Sequence, residues 1–136
     1  MITAKLFGGL GNQMFQYAAG RAAALRSGTQ LALDVSWFGA QELRGFALAA
    51  MPIEAHVLPV DHAAHGVPAG WTGSGRLLRV RLGAAGLARR RPLLVERTPG
   101  VYDPRVKTAG DRAMLVGYWQ SERYFVSAAS EIRREL

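Results

Sequence analysis

Apolar and polar positions alternate over "ITAKLF" (2–7) and stop at Gly8 and Gly9, which predicts a strand ending in a glycine turn. Over 13–26 the period lengthens. Met14, Ala18, Ala22 and Leu25 recur at helical spacing, with Phe15 and Ala19 beside them, so a helix is predicted. "SGT" (27–29) breaks it, and "QLALD" (30–34) is a second strand closed by an acid. Strand, glycine turn, helix and strand in this order make a βαβ unit, and hence a parallel sheet.

The pattern is weaker further on. "ELRGFALAAMP" (42–52) predicts a short helix stopped by Pro52. Residues 54–75, with Pro59, Pro68 and several glycines, predict loop with one short strand. Leu77, Val80, Ala84 and Leu87 share one face of a helix over 75–91, weakened by Gly83 and Gly86. "PLLVE" (92–96) is a short buried-type strand, "TPGVYDP" (98–104) a turn and "AMLVGYW" (113–119) the last strand. Residues 121–136 predict a helix with Ser121 as N-cap. The expected fold class is α/β, a Rossmann-like parallel sheet with flanking helices and an irregular insert near 52–92.

Composition adds limits. The 136 residues suit one compact domain, and 49% hydrophobic residues can build a core. Without cysteine there is neither a disulfide framework nor a thiolate metal site. No apolar run approaches the length of a membrane span, and "MITAKLFGG" is too short and too polar for a signal peptide. A cytoplasmic location is expected. The net charge of +7 is localised, because residues 76–112 hold ten basic against three acidic side chains. Arg76, Arg79, Arg81 and Arg89 to Arg91 dominate that tract. A solvated helix face and a peripheral contact with anionic lipid at the inner membrane face both account for it. Nucleic acid is not expected, since no recognition motif accompanies the charge.

The candidate chemistry begins at the glycine turn. A bare turn between a strand and a helix exposes backbone N–H groups at the positive end of the helix dipole, which favours an anion. The turn is neither of the two common phosphate loops. It lacks the Gly-Lys-Ser/Thr close of the P-loop, and Met14 stands where the dinucleotide fingerprint needs glycine or alanine. An anion-facing loop and a plain turn with Asn12 as N-cap both remain open.

Two blocks carry a resemblance. "GGLGNQMFQYAAGRA" (8–22) closely resembles the N-terminal signature of the α-1,2-fucosyltransferase family. "LVGYWQSERYF" (115–125) resembles that family's Gly-Tyr-Trp-Gln-Ser-Glu-Lys-Tyr-Phe segment, with Arg123 in the lysine's place. "LALDVSWF" (31–38) and "RGFAL" (44–48) are fainter echoes, and 52–95 match nothing comparable. The resemblance implies the N-terminal, acceptor-side domain of a GT-B glycosyltransferase. Such enzymes invert the anomeric carbon without a metal as they move fucose from GDP-fucose to the 2-hydroxyl of a galactose-containing glycan. It further implies that Gly9, Gly11, Asn12 and Gln13 line the donor cleft, with the Asn12 amide donating to a β-phosphate oxygen. The family's GDP-binding motif, His-x-Arg-Arg-x-Asp, does not occur in these residues. The expectation is therefore one wall of a cleft, without its C-terminal donor-binding domain and inactive alone. The alternative is a non-catalytic Rossmann-like module that binds a glycan or nothing.

Further residues divide between chemistry and structure. Asp34, at the end of a parallel strand, is a candidate base or sugar-hydroxyl acceptor, with a plain loop cap as the commoner role for such a residue. Trp119, Gln120 and Glu122 are the candidate acceptor-binding group, with Tyr124 and Phe125 expected in the core and Trp119 and Gln120 nearer the cleft. Asp61, His62 and His65 have legal metal spacing but sit in a proline- and glycine-rich loop, so no metal is expected.

Overall fold

The computed structural model describes residues 1–40, 42–59 and 92–136. Strands β1 (Ile2–Lys5), β2 (Leu31–Asp34), β3 (His56–Leu58), β4 (Leu93–Val95) and β5 (Met114–Val116) form one sheet in the order β3-β2-β1-β5-β4. All four pairings are parallel, and Ile2 to Lys5 lie opposite Leu31 to Asp34 in register. The βαβ reading of 2–34 therefore holds. Among the described residues the two α-helices are the long α1 (Leu10–Arg26) and the short α2 (Ala129–Glu135). The basic tract 76–91, its expected helix, and Asp61, His62 and His65 lie outside the described residues.

The first helix is alanine-rich because it lies very close to the sheet. A methyl group on Gly20 would sit 2.9 Å from Leu31 Cδ1 and 3.0 Å from the Ala4 Cβ, so any side chain there would force its neighbours to shift. Ala19, Ala23 and Ala24 are buried around it, with Ile2, Leu6, Leu33 and Leu115 in the same core. The other flank of α1 meets the C-terminal helix, where Ala18 and Ala22 pack with Ala128 and Ile132. Leu25, expected on the buried face, is 39% exposed, because the flanks that the sheet and α2 cover do not include it.

Three boundaries differ from the pattern. The first helix opens at Leu10 with Gly9 as its N-cap, so Asn12 is inside its first turn and is not the cap. The expected helix over 42–52 is only a 3-10 turn at Ala47–Ala50. There the Gly45 carbonyl and the Ala47 amide are taken by Gln13, which interrupts a continuous helical ladder. The expected helix over 121–136 breaks into 3-10 turns at Glu122–Tyr124 and Val126–Ala128 before α2. The break falls at Phe125, whose φ of −132° is not helical. Ser121 does cap, accepting the Arg123 amide at 3.4 Å.

A polar clasp joins the chain's two ends. The Tyr17 hydroxyl donates to Glu135 and accepts the Glu54 amide, and Arg21 grips both Glu135 oxygens, with Nη2 at 2.8 Å from Oε1. Burial, then the hydrogen bond to Glu135, pushes the Tyr17 phenol well above its usual range. Replacing Glu135 with Ala leaves Tyr17 and Arg21 without their shared acceptor and should cost about 2 kcal/mol by urea denaturation. The folded state holds the phenol proton more tightly than the unfolded state. This contribution is thus complete below about pH 10 and is lost as pH rises through the folded-state value. The stability gap between the wild type and Tyr17→Phe should accordingly narrow above pH 10. A gap independent of alkaline pH would count against the clasp.

Candidate active site

The carboxyl ends of all five strands share one edge, and the strand order reverses at β1, between β2 and β5. In open α/β sheets the crevice outside such a reversal is where ligands bind. The loops after β1 and β5 therefore meet at the position the fold favours for a site.

The β1 loop is shaped by its side chains. Gly8 has φ +82°, and a Cβ there would lie 2.6 Å from Asn12 Nδ2, so glycine serves both the turn and the close approach of the amide. A methyl on Gly9 would lie 3.2 Å from the Arg44 guanidinium. No side chain caps α1, and its first turn carries no acid, which leaves the positive end of the helix dipole open. Gln16 accepts the Phe7 amide at 3.0 Å and anchors the loop from below.

The two sequence blocks are joined by one hydrogen bond. The Gln120 amide donates to Asn12 Oδ1 at 2.9 Å, across 108 positions in the chain. Gly11, Arg44, Gln120 and Glu122 are exposed, and Gly9 and Asn12 reach solvent partly. Arg44 was not singled out by the sequence. Its only signal was its place in the faint "RGFAL" echo, and its approach to Gly9 is a tertiary fact.

Other expected site residues lie elsewhere or act differently. Gln13 is 1% exposed and fully engaged. Nε2 donates to the carbonyls of Gly8 and Gly45, and Oε1 accepts the Ala47 amide. It ties the glycine loop to the segment that carries Arg44 and has no free polar group for a donor. Asp34 does end β2, but it is completely buried. Its Oδ2 pairs with Lys5 Nζ at 3.2 Å and its Oδ1 accepts the Ser36 amide at 3.0 Å. Both oxygens are occupied, so Asp34 is a loop cap and counter-ion and offers no open carboxylate to an acceptor hydroxyl. Trp119 is also a correction, because it is 1% exposed and packs edge-on against Tyr124 at 5.5 Å. Tyr124 is in the core as expected, Phe125 is half-buried, and Gln120 is exposed.

The turn after β5 has an unexpected support. Trp119 has φ +53°, the one non-glycine residue with positive φ among those described. Glu96, just past β4, accepts the Tyr118 amide at 2.7 Å and the Trp119 amide at 3.2 Å. Burial pushes its carboxyl up, against the backbone amides that favour the charged form. Glu96 gave no sequence signal, since a single acid after a three-residue strand reads as a loop residue.

Among the described residues no group of His, Cys, Asp and Glu could hold a metal ion, and no helix is long and apolar enough to cross a membrane. Comparison with protein-family models, curated proteins and solved structures finds no match to the chain.

Proposed function

We propose that this domain is the acceptor-side wall of an inverting α-1,2-fucosyltransferase of GT-B type. The observation that supports it most is the Asn12–Gln120 hydrogen bond. It brings the two blocks that resemble that family together at the carboxyl edge of the sheet, where the strand order reverses. In this proposal the backbone at Gly9 and Gly11 approaches the diphosphate of GDP-fucose. Gln120 occupies Asn12 Oδ1 and leaves Nδ2 as the donor to the β-phosphate oxygen, on which charge builds as GDP leaves. Arg44, beside Gly9, supplies a positive charge to the same anion. Gln120 and Glu122 face the galactose-containing acceptor, with the role of Trp119 reduced to packing behind them. Gln13 and Asp34 hold the loops that carry these groups.

The diphosphate needs more positive charge than Arg44, and guanine needs a pocket. The proposal assigns both to a second domain carrying the family's arginine motif. The test joins this chain to the donor-binding domain of an α-1,2-fucosyltransferase and measures fucose transfer from GDP-fucose to a galactoside. The joined protein should transfer fucose, while the 136-residue chain alone should transfer none and bind GDP-fucose weakly at best. Transfer by the lone chain, or a joined protein that folds yet neither binds GDP-fucose nor transfers it, would remove the proposal. Glycan binding without transfer would favour a non-catalytic module.

The basic tract supports a second, weaker expectation. Vesicles containing anionic lipid should bind the chain more tightly than neutral vesicles, and added salt should weaken that binding. Equal binding to both would leave the charge of 76–91 without a role at a lipid surface.

A further inference from the structure

The left-handed backbone at Trp119 needs a cause. A bulky aromatic residue at positive φ is uncommon and strained. The turn is held from two sides. Gly117 leaves no room for a side chain, since its Cβ would lie 2.4 Å from the Glu96 Cβ. The Glu96 carboxylate then receives the amides of Tyr118 and Trp119 on its two oxygens. The next residue along is Gln120, which reaches Asn12.

We infer that Glu96 is a positioning residue: by holding residues 117–119 in their strained turn, it sets the Gln120–Asn12 hydrogen bond and so the direction of the Asn12 amide. Its functional meaning rests on the fucosyltransferase proposal, but the coupling does not. No contact of Glu96 with substrate is required.

The link is switchable by a proton. Protonating Glu96 turns one acceptor oxygen into a donor facing a backbone N–H, so one of the two bonds to the turn is lost. Among the described residues, the titratable and charged groups around it are Asp103, Tyr124 and the two arginines that neighbour Asp103. Of these, Asp103 disfavours the Glu96 anion, while Arg105 pairs with Asp103 and Arg97 also acts on it. Burial works in the same direction as Asp103. The carboxyl should therefore titrate above the usual glutamate range, and the turn should loosen as pH falls through that point.

Amide NMR on the full 136-residue chain tests this without any ligand. On lowering the pH from 7, the backbone amides of Tyr118 and Trp119 should move with one inflection. The side-chain amides of Gln120 and Asn12 should follow with the same inflection. In Glu96→Gln the inflection should vanish, and the Gln120 and Asn12 side-chain signals should sit near their free-solvent positions at every pH. Signals from β1 and α1 serve as the control for an intact fold. If the variant does not fold, the wild-type titration still decides, because it needs no substitution. Side-chain amides of Gln120 and Asn12 that ignore the Glu96 titration would overturn the inference. The same holds if they are unchanged in a folded Glu96→Gln. Intact coupling in a protein that never uses GDP-fucose would leave the inference standing and count against the fucosyltransferase proposal alone.

Discussion

Asn12→Ala, made in the chain joined to a donor-binding domain, should lower kcat about 100-fold while changing the KM for GDP-fucose far less. In the fucosyltransferase proposal the asymmetry follows from the place given to the amide. Gln120 holds Asn12 Oδ1, and the missing side chain of Gly8 makes room for Nδ2, so the donor is fixed before substrate arrives. A preorganised donor gains most when charge develops on its partner. In a sugar transfer that happens on the β-phosphate oxygen as the glycosidic bond breaks. Ground-state binding draws on many other contacts and barely notices the loss. Asn12→Asp should be at least as damaging, since it places a carboxylate against that growing negative charge. Circular dichroism must first show an intact fold. Unchanged kcat in a folded Asn12→Ala would reduce Asn12 to a strut of the turn. A rise in KM alone would make it a uniform binding contact.

The largest stability effect should come from the ends of β1 and β2 on the same edge of the sheet. Asp34→Ala removes the counter-ion of Lys5, whose ammonium is 1% exposed and would keep only the Ser36 hydroxyl, at 3.0 Å. Breaking a buried pair by deleting one partner costs about 3–5 kcal/mol, because the surviving charge is stranded away from water. A natural domain has roughly 5–15 kcal/mol in total, so the loss is a large share of the fold. The urea midpoint should fall by roughly 2 M with little change in slope. Lys5→Met in the same background should recover part of the loss, as the stranded charge is gone. Any deficit left would reflect the Ser36 amide that Asp34 also accepted. Two single losses below about 1 kcal/mol that simply add would mean the pair is solvated, as surface pairs are.

What could be read from the residues has a physical boundary. The βαβ unit was legible because its signals are local. Alternation ends at Gly8, helical spacing follows, and Asp34 closes the second strand. The edge position of β4 beyond β5 was not legible, since periodicity identifies strands and not their neighbours. Asn12 looked like an N-cap because small polar residues at helix starts often are. Its actual partner lies 108 positions away, and the start of α1 is set by Gly8 and Gly9. Trp119 looked like a sugar platform by type, yet its backbone turns the ring inward. Gln13 and Asp34 looked like site residues by place and type, but their bonds run to the protein itself. Arg44 and Glu96 gave no such signal, because each meets its loop through a contact that exists only in the folded chain. Position and residue type thus located the edge of the sheet where the loops gather. Which polar groups remain open there depended on tertiary bonding.

The seam between β1 and β5 also has a consequence during synthesis. β2 leaves the ribosome soon after β1 and can dock on one side of it at once, with β3 following on β2. The partner for its other side, β5, begins only at Met114. At translation rates of 5–20 residues per second, the intervening ~110 residues take roughly 5–20 s. For that time the nascent chain carries an unpaired edge of its central strand, a template for pairing with another chain. The same sheet order that gathers the loops at one edge therefore leaves one side of β1 without its final partner until β5 is made.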